Sequence, residues 1–305
     1  MKQLLILFIG ILFFSTSLQA QEEEVDYIED NGTVVYKKQE EQKPSLLYKI
    51  TGENIGTSYI FGTIHAIGEN DFNLPDEMAV LMQSCNTLYL EVDVTDKNLQ
   101  AEMLKLAMLK DTTLDKLMSK EKYTTLKASF KKLTNMDLDQ LKTFKPFILN
   151  SFLYPAMVDG KMIAYEKELA QMAQGMNKNV QGLETLSEQM AIMDKLSYDK
   201  QVASLQSFAN DFETNKKMFE EMVALYKKQD INALYKYMTQ NLAEYKELEQ
   251  DLLANRNMNW IEQMSQLLQE PNFYAVGAGH LGGDTGVIQL LKERGYTVTP
   301  VHLEE

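Results

Sequence analysis

The chain has 305 residues, 45% of them hydrophobic and 24% charged, which is ordinary globular composition. With only 15 glycines and 6 prolines, a disordered, fibrous or Gly/Pro-rich all-β chain is excluded. Its 30 Lys and Arg stand against 44 Asp and Glu, a net charge of −14, which repels phosphate backbones and argues against nucleic acid as a partner.

In chain order, the N-terminus reads as a secretory signal. Lys2 precedes the apolar run Leu4 to Phe14, then polar Ser15 to Ser17 and finally Ala20. Residues 1–20 are expected to be removed, leaving a protein that is exported, periplasmic or secreted. The run is short against the ~20 residues of a membrane span. No later segment is apolar enough to cross a bilayer, so no stable membrane span is expected after cleavage.

Residues 21–44 read as a flexible acidic leader with a short hairpin at Asn31-Gly32. Residues 45–305 read as a single domain. Leu46 to Thr51 and Ser58 to Thr63 have strand character, separated by the turn-rich Gly52 to Gly56. Leu88 to Val94 is a further strand. From about 97 to 270 apolar residues recur at helical spacing, as in Met103, Leu106, Ala107 and Leu114. Lys178 to Glu184 interrupts this stretch as a strand, and Thr185-Leu186-Ser187-Glu188 is a capping-box pattern for the next helix. Asn272 to Val276 predicts a strand, Asp284 to Arg294 a helix and Tyr296 to Val301 a strand. The class is therefore α/β (α+β), a central mixed sheet built from N- and C-terminal segments around a large helical insertion.

There are three histidines, His65, His280 and His302, and one cysteine, Cys85. The lone cysteine excludes an intramolecular disulfide and any zinc site built on several thiolates. His65 and His280 share a local context: an apolar strand runs into Gly-x-x-His, as Gly62-Thr63-Ile64-His65 and Gly277-Ala278-Gly279-His280. Each histidine is thereby presented at the carboxyl end of a strand, the edge where ligands bind in open α/β sheets. His302 follows Pro300 without that context and reads as structural. Two imidazoles need more donors to make a catalytic metal site. Glu91 in LYLEVD and Glu184 in VQGLE are strand-end carboxylates that could complete one. The plainer readings are that Glu91 pairs with a lysine and that Glu184 serves the following helix start.

The spans GTIHAIGENDFNLPDEM (62–78), LYLEVD (88–93), QGLETLSEQM (181–190) and GAGHLGGDTGVIQLLKERGYTV (277–298) together resemble the TraB/GumN family. That family includes Tiki-like metalloproteases and is related in fold to erythromycin-esterase-like and ChaN-like proteins. The resemblance covers about residues 45–303. It implies a divalent-metal site held by His65 and His280, with Glu91 and Glu184 matching the family's glutamates and Arg256 matching a late arginine. Residues 97 to 178 carry no matched motif.

Other readings are weaker. Gly277-Ala278-Gly279-His280-Leu281-Gly282 fits the G-x-G-x-x-G dinucleotide pattern, but too little chain follows it to build the usual domain. No G-x-S-x-G elbow supports a serine hydrolase. A thiol hydrolase would need an exposed, activated Cys85, whereas MQSCNTLYL reads as a helix-to-strand junction. The 18 methionines, such as Met157, Met162, Met172 and Met176, recur among leucines and read as core rather than copper ligands.

The expectation is thus an exported metal-dependent hydrolase, most of all a peptidase, acting on a peptide or small-molecule substrate. His65, His280 and Glu91 are its metal ligands, with Glu91, Glu184 and Arg256 as catalytic groups. Zinc, manganese, cobalt and iron all suit such donors. The alternative is an exported, non-catalytic protein that binds a metal, haem or small ligand in the same cleft.

Overall fold

The computed structural model describes residues 28–30, 33–35, 43–241, 248 and 250–303. The expected signal segment and most of the leader lie outside the described residues. Among the described residues, no helix is long and apolar enough to cross a membrane.

The described strands are β1 (Ile28–Asp30), β2 (Thr33–Val35), β3 (Leu47–Thr51), β4 (Ser58–Thr63), β5 (Ile67–Gly68), β6 (Thr87–Leu90), β7 (Met162–Ile163), β8 (Asn179–Gly182), β9 (Asn272–Gly277) and β10 (Thr297–Val301). β1 and β2 pair antiparallel on either side of 31–32. β5 and β7 form a second small ladder. The remaining six make one sheet in the order β10-β3-β4-β9-β6-β8. β10, β3 and β4 are antiparallel neighbours; β4, β9, β6 and β8 run parallel.

Burial explains this order. β9 reads Asn-Phe-Tyr-Ala-Val-Gly and all six residues are buried, as a central parallel strand covered on both faces requires. β10 lies at the sheet edge, pairing with β3 alone, and there Pro300 withholds no needed ladder donor. Tyr89 of β6 and Tyr274 of β9 stack across the pair with ring centroids 5.3 Å apart.

The helices are α1 (Glu77–Gln83), α2 (Leu99–Leu106), α3 (Lys120–Thr134), α4 (Pro146–Asn150), α5 (Tyr165–Gly175), α6 (Leu186–Met193), α7 (Tyr198–Asn210), α8 (Phe212–Lys227), α9 (Ile231–Asn241), α10 (Asn255–Leu267) and α11 (Val287–Glu293). Local chemistry sets several boundaries. Thr185 and Glu188 form the expected capping box at the start of α6. Ser119 accepts from Lys122 N at the start of α3, and Asn135 closes it in the left-handed region at φ 58°. Met157 is buried in the main core, and Met162, Met172 and Met176 pack against it, so these methionines fill space.

Several elements are shorter than the sequence pattern predicts: β8 covers Asn179–Gly182 of the expected Lys178 to Glu184, β3 and β10 each start one residue late, and β6 and α11 fall furthest short at one end. β6 stops at Leu90, four residues before Val94, because Asp93 turns the chain: its Oδ1 accepts both Thr95 N–H (2.8 Å) and the Thr95 hydroxyl (2.6 Å). α11 begins at Val287 rather than Asp284, because the preceding glycine segment lies against α9. A Cβ on Gly282 would stand 2.3 Å from the Ile231 carbonyl oxygen. That contact also accounts for the dinucleotide-like glycine spacing, since Gly282 faces a helix backbone.

Cys85 joins α1 to β6 and is 1% exposed. Burial pushes its thiol up to about 11, so it is neutral near pH 7. Thiol reagents should label the native protein far more slowly than the urea-unfolded chain. Equal labelling rates in the two states would show that this junction opens freely.

Candidate functional site

Four adjacent parallel strands end in chemistry. Reading across the sheet, the chain places His65 after β4, His280 after β9, Glu91 after β6 and Glu184 after β8. In-register pairing, with Thr63 opposite Gly277 and Leu90 opposite both Ala275 and Gly182, brings these strand ends to a common edge. All four sequence-predicted strand-end residues meet there. Arg256, in the first turn of α10, joins the same cluster through Glu91, Glu184 and His280.

Glu91 is the hub. Its Oε1 accepts Gly277 N–H at 2.8 Å, and it faces His65 Nε2 at 3.9 Å and His280 Nε2 at 3.8 Å. Its Oε2 accepts from Arg256 Nη2 and from Gln189 Nε2, the latter at 3.0 Å. Burial would raise the Glu91 carboxyl, but Arg256 foremost overrides it and holds the group down at about 2. Glu184 shares the same arginine, receiving Arg256 Nε at 3.0 and 3.1 Å on its two oxygens and Nη2 on Oε1. Here burial outweighs the arginine and, with the neighbouring Glu91 charge, raises the carboxyl. Two carboxylates on one guanidinium divide in this way: Glu91 keeps its charge and Glu184 is the easier to protonate.

The imidazoles are held by their outer nitrogens. Asn257 Nδ2 donates to the carbonyl oxygens of His280 (3.3 Å) and Thr285 (2.8 Å), leaving its Oδ1 to accept from His280 Nδ1 at 2.7 Å. Arginine can only donate, so the 3.0 Å contact between Arg256 Nη1 and His280 Nε2 fixes Nε2 as the acceptor. Hydrogen bonding thus assigns His280 the Nδ1–H tautomer. Burial, then Arg256, pushes His280 down to about 3, so it stays neutral over the ordinary pH range. His280 also lies against Trp260, with ring centroids 4.5 Å apart, and Trp260 in turn carries the Arg256 guanidinium at 4.8 Å.

His65 Nδ1 meets Glu166 Oε1 at 2.8 Å. Burial lowers the His65 pKa, but Glu166 overcomes it and carries the ring up to about 9. With 17% of its side chain exposed, His65 is more open than Glu91, Arg256 or His280.

Glu166, Gln189 and Asn257 belong to the cluster although the sequence patterns did not mark them. Glu166 had a readable signal: Glu166, Leu169, Ala170 and Ala173 form the buried stripe of α5, so a carboxylate sits in an apolar row. Gln189 and Asn257 are buried amides on helices beside marked residues, with no distinguishing spacing. His302 is exposed beyond β10.

Among the described residues no group of three or more His, Cys, Asp or Glu forms a metal cage as it stands. Several features nonetheless fit a cation. Both Nε2 atoms face one carboxylate oxygen, and both Nδ1 atoms are taken up by outer acceptors, which is how metal-ligating histidines are oriented. Gly277 leaves the space between them free: a Cβ there would lie 3.2 Å from Glu91 Oε1 and 3.5 Å from His65 Nε2. The opposing feature is Arg256, which holds the His280 Nε2 lone pair.

Fold and site together define an α/β protein with a histidine, carboxylate and arginine centre at the carboxyl edge of its sheet. The chain belongs to the TraB/PrgY/gumN family, whose signature matches residues 46–300. It is 23% identical over 306 residues to a protein named Metalloprotease TIKI2 from Danio rerio, an alignment covering 79% of this chain and 58% of that protein. It is also 24% identical over 283 residues to an uncharacterized protein of Treponema pallidum (strain Nichols), covering 83% and 81% of the two chains. No solved structure gives a significant match.

Removing Arg256 leaves two buried carboxylates without their cation. Arg256→Met should lower unfolding free energy by about 3–5 kcal/mol, read by urea denaturation near pH 7. A loss below about 1 kcal/mol would mean that water, rather than the guanidinium, meets these charges.

Proposed function

We propose that the chain is an exported metal-dependent hydrolase, a peptidase above all, with His65, His280 and Glu91 holding one divalent ion. The observation that carries this reading is the convergence of both Nε2 atoms on Glu91 Oε1, at 3.9 and 3.8 Å, beside side-chain-free Gly277. Charge supports it as well. Glu91 and Glu184 are set against Arg256, and Glu166 against a His65 ring held protonated up to about 9; a divalent cation that displaces the His65 proton would balance the three carboxylates together with the arginine. Kinship to a protein named as a metalloprotease supports the hydrolase class. The chain covers only part of that relative, so the peptide bond as substrate is a proposal of its own. Export rests on the residue pattern of Met1 to Ala20.

Imidazole and carboxylate donors suit zinc, manganese, cobalt or iron. What such an ion would supply is Lewis acidity, lowering the pKa of a bound water towards ~7. The chain's own groups have distinct tasks. His280 presents its Nε2 lone pair and Glu91 its Oε1, and His65 would present Nε2 on giving up the proton it holds up to about 9. Glu184 is the carboxyl raised by burial, and its Oε2 carries one 3.1 Å contact to Arg256, so it is the group suited to take a proton. Arg256 supplies positive charge where an oxyanion develops. Its N–H groups are all engaged, to Glu184, Glu91, the Leu252 carbonyl and His280 Nε2. The bond to His280 is the one released when that lone pair is used elsewhere, and it frees a donor directed at the site.

Elemental analysis of the purified mature protein tests the metal, and cleavage of a peptide library tests the activity. Wild-type protein should retain about one divalent ion per chain, with Tm rising on metal addition. His65→Ala and His280→Ala should each abolish retention and keep the helical circular-dichroism signal. Stoichiometric metal in either variant would refute the shared site. Metal retention with no hydrolysis of peptides or esters would favour the non-catalytic binding protein.

Gly277→Ala separates site from fold. Its backbone, at φ −52° and ψ 132°, is open to alanine, so stability should change by less than about 1 kcal/mol. The added methyl fills the space between the donors, so metal affinity should fall at least tenfold. Unchanged affinity would place the ion elsewhere.

A further inference from the structure

We infer that Glu166 is a positioning residue for His65: by accepting the Nδ1–H it aims Nε2 at the space beside Gly277. The consequence for metal binding rests on the reading above; the hydrogen bond itself does not.

Glu166 sits in the first turn of α5, a helix of 11 residues, with its neighbours Lys167 and Glu168 turned more towards solvent. A carboxylate at that end is favoured by the helix dipole, and 8% exposure leaves it little water. It spends one oxygen on two donors. Oε1 accepts the Thr63 hydroxyl at 2.6 Å and meets His65 Nδ1 at 2.8 Å. Thr63 is the last residue of β4 and His65 follows two positions on, and both reach the same Glu166 oxygen. Within the first motif, Gly62-Thr63-Ile64-His65, the threonine therefore braces the carboxylate that braces the histidine.

An imidazole free to rotate about its last side-chain bond would present carbon as readily as nitrogen to Glu91. The Glu166 contact removes that freedom by tying down Nδ1, which leaves Nε2 facing Glu91 Oε1. His280 receives the same treatment from a neutral amide, Asn257. One ring thus has a carboxylate behind it and the other an amide. A carboxylate partner raises the basicity of a ligating imidazole more than an amide does, so His65 is the stronger donor of the pair.

A purely structural Glu166 would tie α5 to β4 and nothing more. The test is made on the full chain with Glu166→Gln, Glu166→Ala and Thr63→Val, using Co(II) alone as the probe. Affinity is read by absorption titration, and the His65 ring N–H by NMR of 15N-labelled protein, assigned with His65→Gln. In Glu166→Ala, Co(II) affinity should fall about 10–100-fold and the hydrogen-bonded Nδ1–H signal should vanish into exchange. Glu166→Gln keeps an acceptor, so the signal should persist at a shifted position with less than about tenfold loss of affinity. Thr63→Val should also lose less than Glu166→Ala. If Glu166→Ala fails to fold, the glutamine variant decides: an unmoved signal with wild-type affinity overturns the inference. The same result in Glu166→Ala, or a lowered Tm with affinity and signal intact, overturns it too. If wild-type protein takes no Co(II), the metal reading fails and the ring N–H alone decides, its loss in folded Glu166→Ala supporting the hold on His65 and its persistence refuting it.

Discussion

A carboxylate taken out of water loses several kcal/mol of solvation unless hydrogen bonds and opposite charge replace it. Glu91 is 4% exposed, and the replacement is assembled from distant parts of the chain. Gly277 N–H comes from β9, Gln189 from α6 and the guanidinium from α10. Arg256 in turn needs Glu184 and the carbonyl of Leu252 to employ its remaining donors. Buried ion networks of this kind add little net stability over an apolar core, and their geometry reports on function more than on folding.

The arginine gives the cluster its character. A guanidinium spanning Glu91, Glu184 and His280 is itself a cation at the centre of a carboxylate-rich pocket. It neutralises charge that would otherwise repel, and it keeps His280 in the neutral form with a lone pair directed inward. The donor set is therefore preorganised while the arginine is present: nitrogen and oxygen atoms already face one another. Engaging His280 with another cation requires the arginine to give up one contact while Glu184 and Leu252 continue to hold it in place.

Much of this was legible in the sequence, for specific reasons. Paired Gly-x-x-His motifs after apolar strands identify His65 and His280, because strand polarity and glycine placement are local properties. Glu91 and Glu184 stand out because a carboxylate that closes an apolar strand must meet a partner at the sheet edge. The mixed sheet and its helical insertion follow from hydrophobic period. Glu166 was hidden because it lies 103 residues from Thr63 in sequence, and only the buried stripe of α5 hints at it. Asn257 and Gln189 carry no such hint. The end of β6 falls four residues short of the pattern because LYLEVDV continues the alternation of a strand while Asp93 supplies an Asx turn that closes it.

Strand order adds a constraint that no motif contains. β9 comes late in the chain yet lies between β4 and β6, contributing both Gly277 and His280 to the centre. Until it is inserted, β4 and β6 have no partner on their facing edges, and Glu91 lacks its backbone donor. Contacts of such long sequence separation carry the loop-closure entropy of the intervening chain. The glycine-rich segment that resembles a nucleotide loop follows directly on β9: packed on α9, it holds His280 Nε2 3.8 Å from Glu91.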